Sequence, residues 1–413
     1  MAETAAAIAR APRKLAPREA LGVACGAHAL HDGLTDLLYV LLPIWQAGFG
    51  LDYAAVGLLR ALTAGTMAGL QVPSGWLGRR LGGGAVLAAG TALVGLAYMA
   101  AGVSGGLVSL AVALALGGVG LSTQHPIASA LVARNFPGGR SRIALGTYNF
   151  SGDIGKMAVP AATAWLITFL GWRPAIAVIG ALALAAAAAI ALRLRAPEAG
   201  AAAEIAEPAP RVEPAPAAAG AATAVMTRGF CTLLAIGVID SATRMGFLTF
   251  LPFLLHGKGA DLPTVGFALT LVFAGGAAGK FVCGFLGERL GVFNAVYATE
   301  GLTAAGILAL LPLSLAASLL LLPVIGIALN GTSSVLYGTV PELAPPGRRE
   351  HAFGIFYTGT VGGGALSPVL YGLFANVVGI GTMMVIIAGV VLSVLPLARL
   401  LRREFAARPS GGP

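Results

Sequence analysis

Charge is what this sequence has least of. Asp, Glu, Lys and Arg make up 10% of its 413 residues, against 57% hydrophobic residues. A water-soluble domain of this length carries charge on roughly a quarter of its residues, so the composition excludes an ordinary soluble globular protein. Cysteine is also scarce. Cys25, Cys231 and Cys283 stand alone in or beside apolar runs, which excludes a disulfide framework and gives no metal-ligand spacing. No Walker loop is present, so ATP does not drive the protein. No nucleophile has a base at a recognisable spacing, so no enzyme class is suggested. Short alternating apolar segments are lacking too, and with them a membrane β-barrel.

What is present is a succession of apolar segments about 20 residues long, the signal of membrane-spanning helices. The fold class read from them is an all-α polytopic membrane protein with twelve spans. Six are expected at about 20–44, 54–78, 84–104, 107–133, 143–169 and 174–194, and six at about 229–255, 262–286, 294–312, 317–339, 352–376 and 380–401. The chain then divides into a basic N-terminus (1–18), a six-helix bundle (19–195), an Ala/Pro-rich linker (196–227), a second bundle (228–403) and a tail (404–413). The linker lacks apolar periodicity and reads as flexible and cytoplasmic.

The net charge of +9 suggests nucleic acid until its distribution is followed. Basic residues gather at alternate connections, among them Arg79 and Arg80, Arg140 and Arg142, Arg289, and Arg348 and Arg349; the other side holds only Arg173 and Lys258. This positive-inside pattern places both termini in the cytoplasm, in a plasma (bacterial inner) membrane. The expected partners are the lipid bilayer, a small-molecule substrate and protons, with no nucleic acid, no cofactor and no metal. A non-transporting sensor or scaffold on the same fold would need a larger surface outside the membrane than these short loops offer.

Two halves repeat. Pro43, Asp52, Gly57 and Gly75 recur 209 residues on as Pro252, Asp261, Gly266 and Gly284; Gly146, Gly155 and Pro160 recur 208 on as Gly354, Gly363 and Pro368. Each half holds an even number of spans, so both copies enter the membrane the same way round. Parallel repeats of this kind carry a substrate site between them near mid-membrane.

The first span breaks the scarcity of charge. On a helix, His28, His31, Asp32, Thr35, Asp36 and Tyr39 share one face of about 140°. A charged group at the centre of a membrane helix costs ~2.5–3.5 kcal/mol, so such groups face a wet cavity or a partner. Ion pairs that hold helices together are one reading; proton coupling by Asp32 and Asp36, tuned by His28 and His31, is the other. His28 and His31 are three apart with no surrounding zinc motif.

Further polar groups follow. The fifth span sets Asn149, Asp153 and Lys156 on one face, where Asp153 and Lys156 can pair. Asp240 and Arg244 are four apart on the seventh. Arg60 and Lys280 have no acid one turn away. Gln124 and His125 on the fourth span, Asn330 and Tyr337 on the tenth, and Tyr357 on the eleventh can line a cavity. Each can bind substrate or tie helices together.

Gly75-Trp-Leu-Gly78-Arg79-Arg80-Leu-Gly82 closes the second span and Gly284-Phe-Leu-Gly287-Glu288-Arg289-Leu-Gly291 the eighth. Both resemble the cytoplasmic loop motif of the major facilitator superfamily, G-x-L-[A/G]-[D/E]-R-x-G. The resemblance implies twelve helices in two bundles, alternating access and a monomer. It also implies that the motif's acid caps a neighbouring helix end and braces one state. Glu288 supplies that acid; Arg79 stands where the first copy needs one. His28-x-x-x-Asp32 with Pro43, Phe49-Gly-Leu, Val56-Gly-Leu, His125-Pro126, Gly139-Arg140 and Gly152-x-x-Gly155 before Pro160 are similar to the fosmidomycin-resistance branch. That likeness implies export of a small organic molecule in exchange for protons. Proton-linked uptake of an organic anion, suggested by Arg60, Arg244 and Lys280, is the alternative.

Overall fold

The computed structural model describes residues 16–136, 139–194, 225–345 and 348–406. Most of the linker and tail lie outside the described residues, as do the surroundings of Gly284 and Gly287 and the side chain of Glu288. Thirteen helices and no strand occur among the described residues. In the first half they are α1 (Pro17–Phe49), α2 (Tyr53–Leu81), α3 (Gly83–Gly102), α4 (Leu107–Leu121), α5 (Gln124–Asn135), α6 (Gly139–Leu170) and α7 (Trp172–Arg193). In the second they are α8 (Arg228–Gly257), α9 (Leu262–Leu290), α10 (Val292–Leu310), α11 (Leu315–Leu343), α12 (Arg349–Leu392) and α13 (Val394–Ala406).

Nine helical stretches among the described residues are long and apolar enough to cross a membrane. α1 and α6 are not among the nine; these two carry His28, His31, Asp32, Asp36 and Asp153, all buried. The expected fourth span is one apolar stretch, Leu107–Asn135, with a turn inside it. The turn lies at Ser122 and Thr123, whose hydroxyls donate to the Val119 and Gly120 carbonyls at 2.7 and 2.9 Å. Side chains that bond their own backbone compete with the helix, and the turn sets Gln124 and His125 at the head of α5. The boundary expected between residues 376 and 380 is a bend at Gly379, where φ is +77°, a conformation that glycine adopts without a Cβ penalty.

The repeat has a physical use. Asp52 and Asp261 are both N-caps, accepting from the Ala55 and Thr264 amides at 2.7 and 2.9 Å. α1 lies against α6, and α8 against α12; α2 lies against α4, and α9 against α11. Between the halves, α2 meets α12 and α6 meets α9. At these seams a methyl group on Gly57 would collide with the Pro368 carbonyl and one on Gly266 with Ala164, the Pro160 carbonyl lying beside it at 3.5 Å. The repeated glycines thus face the repeated prolines crosswise. At the same end the Tyr53 amide donates to Asn376 Oδ1 at 2.8 Å. One apolar cluster runs through both halves here, burying Tyr39, Trp45, Phe247 and Phe250.

Candidate functional site

α1 and α6 touch backbone to backbone. A Cβ on Gly155 would strike the Ala29 carbonyl, and one on Gly152 would lie 2.7 Å from Asp32 Oδ2 and from His28. Small residues allow membrane helices this approach. It carries the charged face of α1 onto α6 and determines which groups meet.

Asp32 is the meeting point. His28 Nε2 lies 3.3 Å from Oδ2, Lys156 Nζ 3.2 Å from the same oxygen, and His125 Nε2 3.7 Å from Oδ1. His28 Nδ1 donates to the Tyr148 carbonyl at 2.8 Å, and its ring stacks on Tyr148 with centroids 4.2 Å apart. Gln124 Nε2 in turn donates to the Tyr148 hydroxyl at 2.7 Å. His28, Asp32 and His125 bring three possible ligand atoms within 4.8 Å of one another.

One turn on, Asp36 faces Arg60 of α2, with Oδ1 and Nη2 4.0 Å apart. Arg60 Nη2 donates to the Tyr39 hydroxyl at 3.1 Å, and the guanidinium carbon sits 5.1 Å from that ring's centre. Arg60 Nε and Nη1 are buried and have no hydrogen-bond partner.

These groups line a cavity of about 330 Å³ closed on its far side by α8, α9, α11 and α12. Its ionisable lining comprises Asp32, Asp36 and Asp153 against Arg60, Lys156, Arg244 and Lys280, with His125. Cations outnumber carboxylates, so the wall favours an anionic guest. Asn330 also lines it. Arg244 Nη1 donates to Ser333 Oγ at 3.0 Å, and Ser333 reaches Asp240 Oδ2 at 3.4 Å. Asp240 and Tyr337 line a smaller neighbouring pocket.

Several sequence expectations change here. Asp153 does not pair with Lys156 three residues away. It takes Lys280 from α9, 2.7 Å from both carboxylate oxygens, while Lys156 takes Asp32. Arg60 and Lys280, which have no acid one turn away, find one on another helix: Asp36 of α1 and Asp153 of α6. His31 points away from the cavity toward α3. The Thr91 hydroxyl donates to the Leu87 carbonyl at 2.8 Å, so its oxygen accepts from His31 Nε2 at 2.8 Å. Asn149 is exposed and outside the cavity. So is Tyr357, whose hydroxyl donates to Gln71 Oε1 at 3.3 Å. The Lys280–Asp153 bond between the halves had no sequence signal, because helical spacing reports only neighbours on one helix.

Comparison with known proteins supplies the family. Residues 24–239 and 233–412 match the Major Facilitator Superfamily. A probable sulfoacetate transporter of Cupriavidus necator is 25% identical over 379 residues, covering 87% of this chain and 88% of that protein. The fold is that of an inward-facing, occupied bacterial homologue of the human lysosomal transporter Spinster, with a TM-score of 0.77 at 15% identity over 96% of this chain and 100% of that one. A nucleoside transporter matches with a TM-score of 0.77 at 13% identity, over 92% of this chain and 99% of its own. With an all-helical fold, apolar helices and a polar cavity between them, this chain belongs to the Major Facilitator Superfamily, a family of membrane transporters.

Proposed function

We propose that this protein is a proton-coupled secondary transporter of a small organic anion, working by alternating access of two six-helix halves. The observation that carries the reading is Arg60. Arg60 is 3% exposed on the cavity wall, and two of its guanidinium nitrogens, buried beneath that wall, lack partners. A buried donor left unpaired costs ~1–3 kcal/mol, which an anion offsets by reaching these nitrogens as the wall opens. Arg244 faces the same space from the other half. The sulfonate and carboxylate of sulfoacetate, the compound for which the relative is named a probable transporter, belong to the chemical class this wall suits.

Asp32 is the proposed proton carrier, with His28, His125 and Asp36 beside it. Protonating Asp32 removes the charge that holds Lys156, freeing the ammonium for a guest anion or for Asp36. A proton and an anion bound together leave the cavity's net charge unchanged, which favours joint movement. Twelve crossings fit the helices: α1 and α6 join the nine apolar stretches, and the 55-residue stretch His351–Phe405 is about 80 Å long, too long for one ~30 Å core. The basic clusters lie at the end opposite the Tyr53–Asn376 seal, so that seal is assigned to the outer face, with both termini cytoplasmic and the monomer as the working unit.

The His28-x-x-x-Asp32 and His125-Pro126 likeness to the fosmidomycin-resistance branch favours a second reading, export by proton exchange through the same Asp32. Proteoliposomes with an imposed pH gradient test both. The main reading expects sulfoacetate or a short dicarboxylate to accumulate from the acidic side and to leak away with a protonophore. Acid-driven loading of everted vesicles marks export instead. No gradient-dependent movement of any anion in the panel would sink the main reading.

A further inference from the structure

We propose that His28, Asp32 and His125 form a binding site for a divalent transition-metal ion of the zinc class, open to the cavity. Binding is independent of the transport reading above. The argument begins with a tautomer. A neutral imidazole has one N–H, and His28 spends it at Nδ1 on the Tyr148 carbonyl, 2.8 Å away. That leaves the Nε2 lone pair facing a carboxylate oxygen at 3.3 Å. Two electron-rich atoms at that distance call for a cation between them. A proton answers for this pair only. His125 Nε2 stands 3.7 Å from the other Asp32 oxygen, too long for a hydrogen bond.

A metal ion answers for all three. Ligands held at ~2.0–2.1 Å around a tetrahedral ion lie about 3.3 Å from one another; His28 Nε2 and Asp32 Oδ2 already stand at 3.3 Å, and the half-exposed His125, 3.7 Å from Oδ1 with all three ligand atoms within 4.8 Å, closes in when the ion binds. A histidine whose other nitrogen donates to a backbone carbonyl is the usual form of a metal-binding histidine. Gly152 keeps α6 close enough to supply that carbonyl, since a Cβ there would lie 2.7 Å from His28 and from Asp32. His125 is 41% exposed at its side chain, which gives an ion a path from the cavity. Two imidazoles and one carboxylate with an open fourth position suit zinc, cobalt or nickel better than magnesium or calcium. Lys156, 3.2 Å from Asp32 Oδ2, is the resident competitor. Asp36, from which Arg60 stands off at 4.0 Å, shares its cavity wall and can receive it when an ion arrives. The sequence does not show the trio, because His125 comes from α5, far along the chain from α1.

The test uses full-length, tag-free protein with His256→Gln and His351→Gln, which removes the histidines outside α1 and α5. Zn²⁺ is titrated by calorimetry, and Co²⁺ by its visible absorption. One ion per chain is expected, with a tetrahedral Co²⁺ spectrum. His125→Gln should weaken binding about tenfold or more. Lys156→Met should tighten it, a change that no adventitious surface site would show. No binding, or binding unaltered by both His125→Gln and Lys156→Met, would overturn the proposal. Because His28→Gln removes a buried contact, the half-exposed His125 and Lys156 carry the test. None of these readouts measures transport, so a failed proton reading leaves them interpretable.

Discussion

Lys156 holds Asp32 at 3.2 Å and leaves Asp153, one turn earlier on its own helix, to Lys280 of the opposite half at 2.7 Å. One carboxylate is therefore tied within a half and the other across the halves. Only the first sits among histidines, so Asp32→Asn is expected to abolish pH-driven accumulation, by about tenfold or more, equal to about 1.4 kcal/mol. Exchange of substrate without a gradient should persist. Parallel flux assays in the same proteoliposomes check this, and equal loss of both activities would assign Asp32 to binding or folding instead.

The Asp153–Lys280 pair should act on conformation as well as on stability. Lys280 is 43% exposed at its side chain but Asp153 only 10%, so removing the lysine leaves a buried carboxylate unpaired, which costs more than the ~1 kcal/mol of a fully exposed pair. Lys280→Met is thus expected to lower the melting midpoint measurably, by more than a few degrees. Disulfide trapping of Asp153→Cys with Lys280→Cys should lock α6 to α9 and stop transport until a reductant is added. Exchanging the two charges should recover most of what Lys280→Met loses. Transport that continues in the cross-linked protein would show that this seam does not open.

Two glycines separate packing within a half from packing between halves. A Cβ on Gly155 meets the Ala29 backbone, which cannot move aside without shifting α1. Gly155→Ala should destabilise the fold by ~1–3 kcal/mol, the usual cost of overpacking, as thermal unfolding would record. Gly57→Ala meets the Pro368 carbonyl across the seam. It should leave the halves folded but keep this end from closing, so that a cysteine at Tyr53 labels faster with a membrane-impermeant reagent. Identical melting losses without faster labelling would mean that the seam is rigid.

Asp261 caps α9 through the Thr264 amide, and hydrogen bonding by the Thr264 side chain, with the amide second, holds its carboxyl below the usual range. A depressed value means stability present above the ordinary carboxylate range and lost as pH falls through the lowered one. Asp261→Ala should cost about 1 kcal/mol at neutral pH and remove that small acid sensitivity, as melting at several pH values would show. Asp261→Asn keeps the cap and should melt close to the parent at neutral pH.

The helical membrane fold was legible because burial in lipid imposes a long apolar run on each span. The charged face of α1 was legible for the opposite reason: an expensive group in an apolar run has to have a use. What could not be read was which helix answers which charge. Lys156 and Asp153 sit at pairing distance on one helix, yet both find partners elsewhere, because close packing at Gly152 and Gly155 brings Asp32 nearer. His31 shows the same limit. It shares an angular sector with Asp32, but a sector of about 140° spans both the cavity and the α3 interface. The turn at Ser122 was hidden because its hydroxyl bonds its own helix, a choice that composition does not reveal.

Arg60 gives the last prediction. Tyr39 takes one of its nitrogens at 3.1 Å, Asp36 stands off at 4.0 Å, and Nε and Nη1 have no partner. A guanidinium so placed can offer a planar pair of donors to a carboxylate or sulfonate, which an ammonium cannot reproduce. Arg60→Lys keeps the charge and should raise KM for the anion by about tenfold, worth about 1.4 kcal/mol, with kcat changed less. Tyr39→Phe, which frees Nη2 without altering charge, should change KM much less than Arg60→Lys. If both variants raise KM equally, the hydrogen-bonded pair positions the helix and the anion binds elsewhere; if neither does, Arg60 neutralises Asp36 and takes no part in recognition.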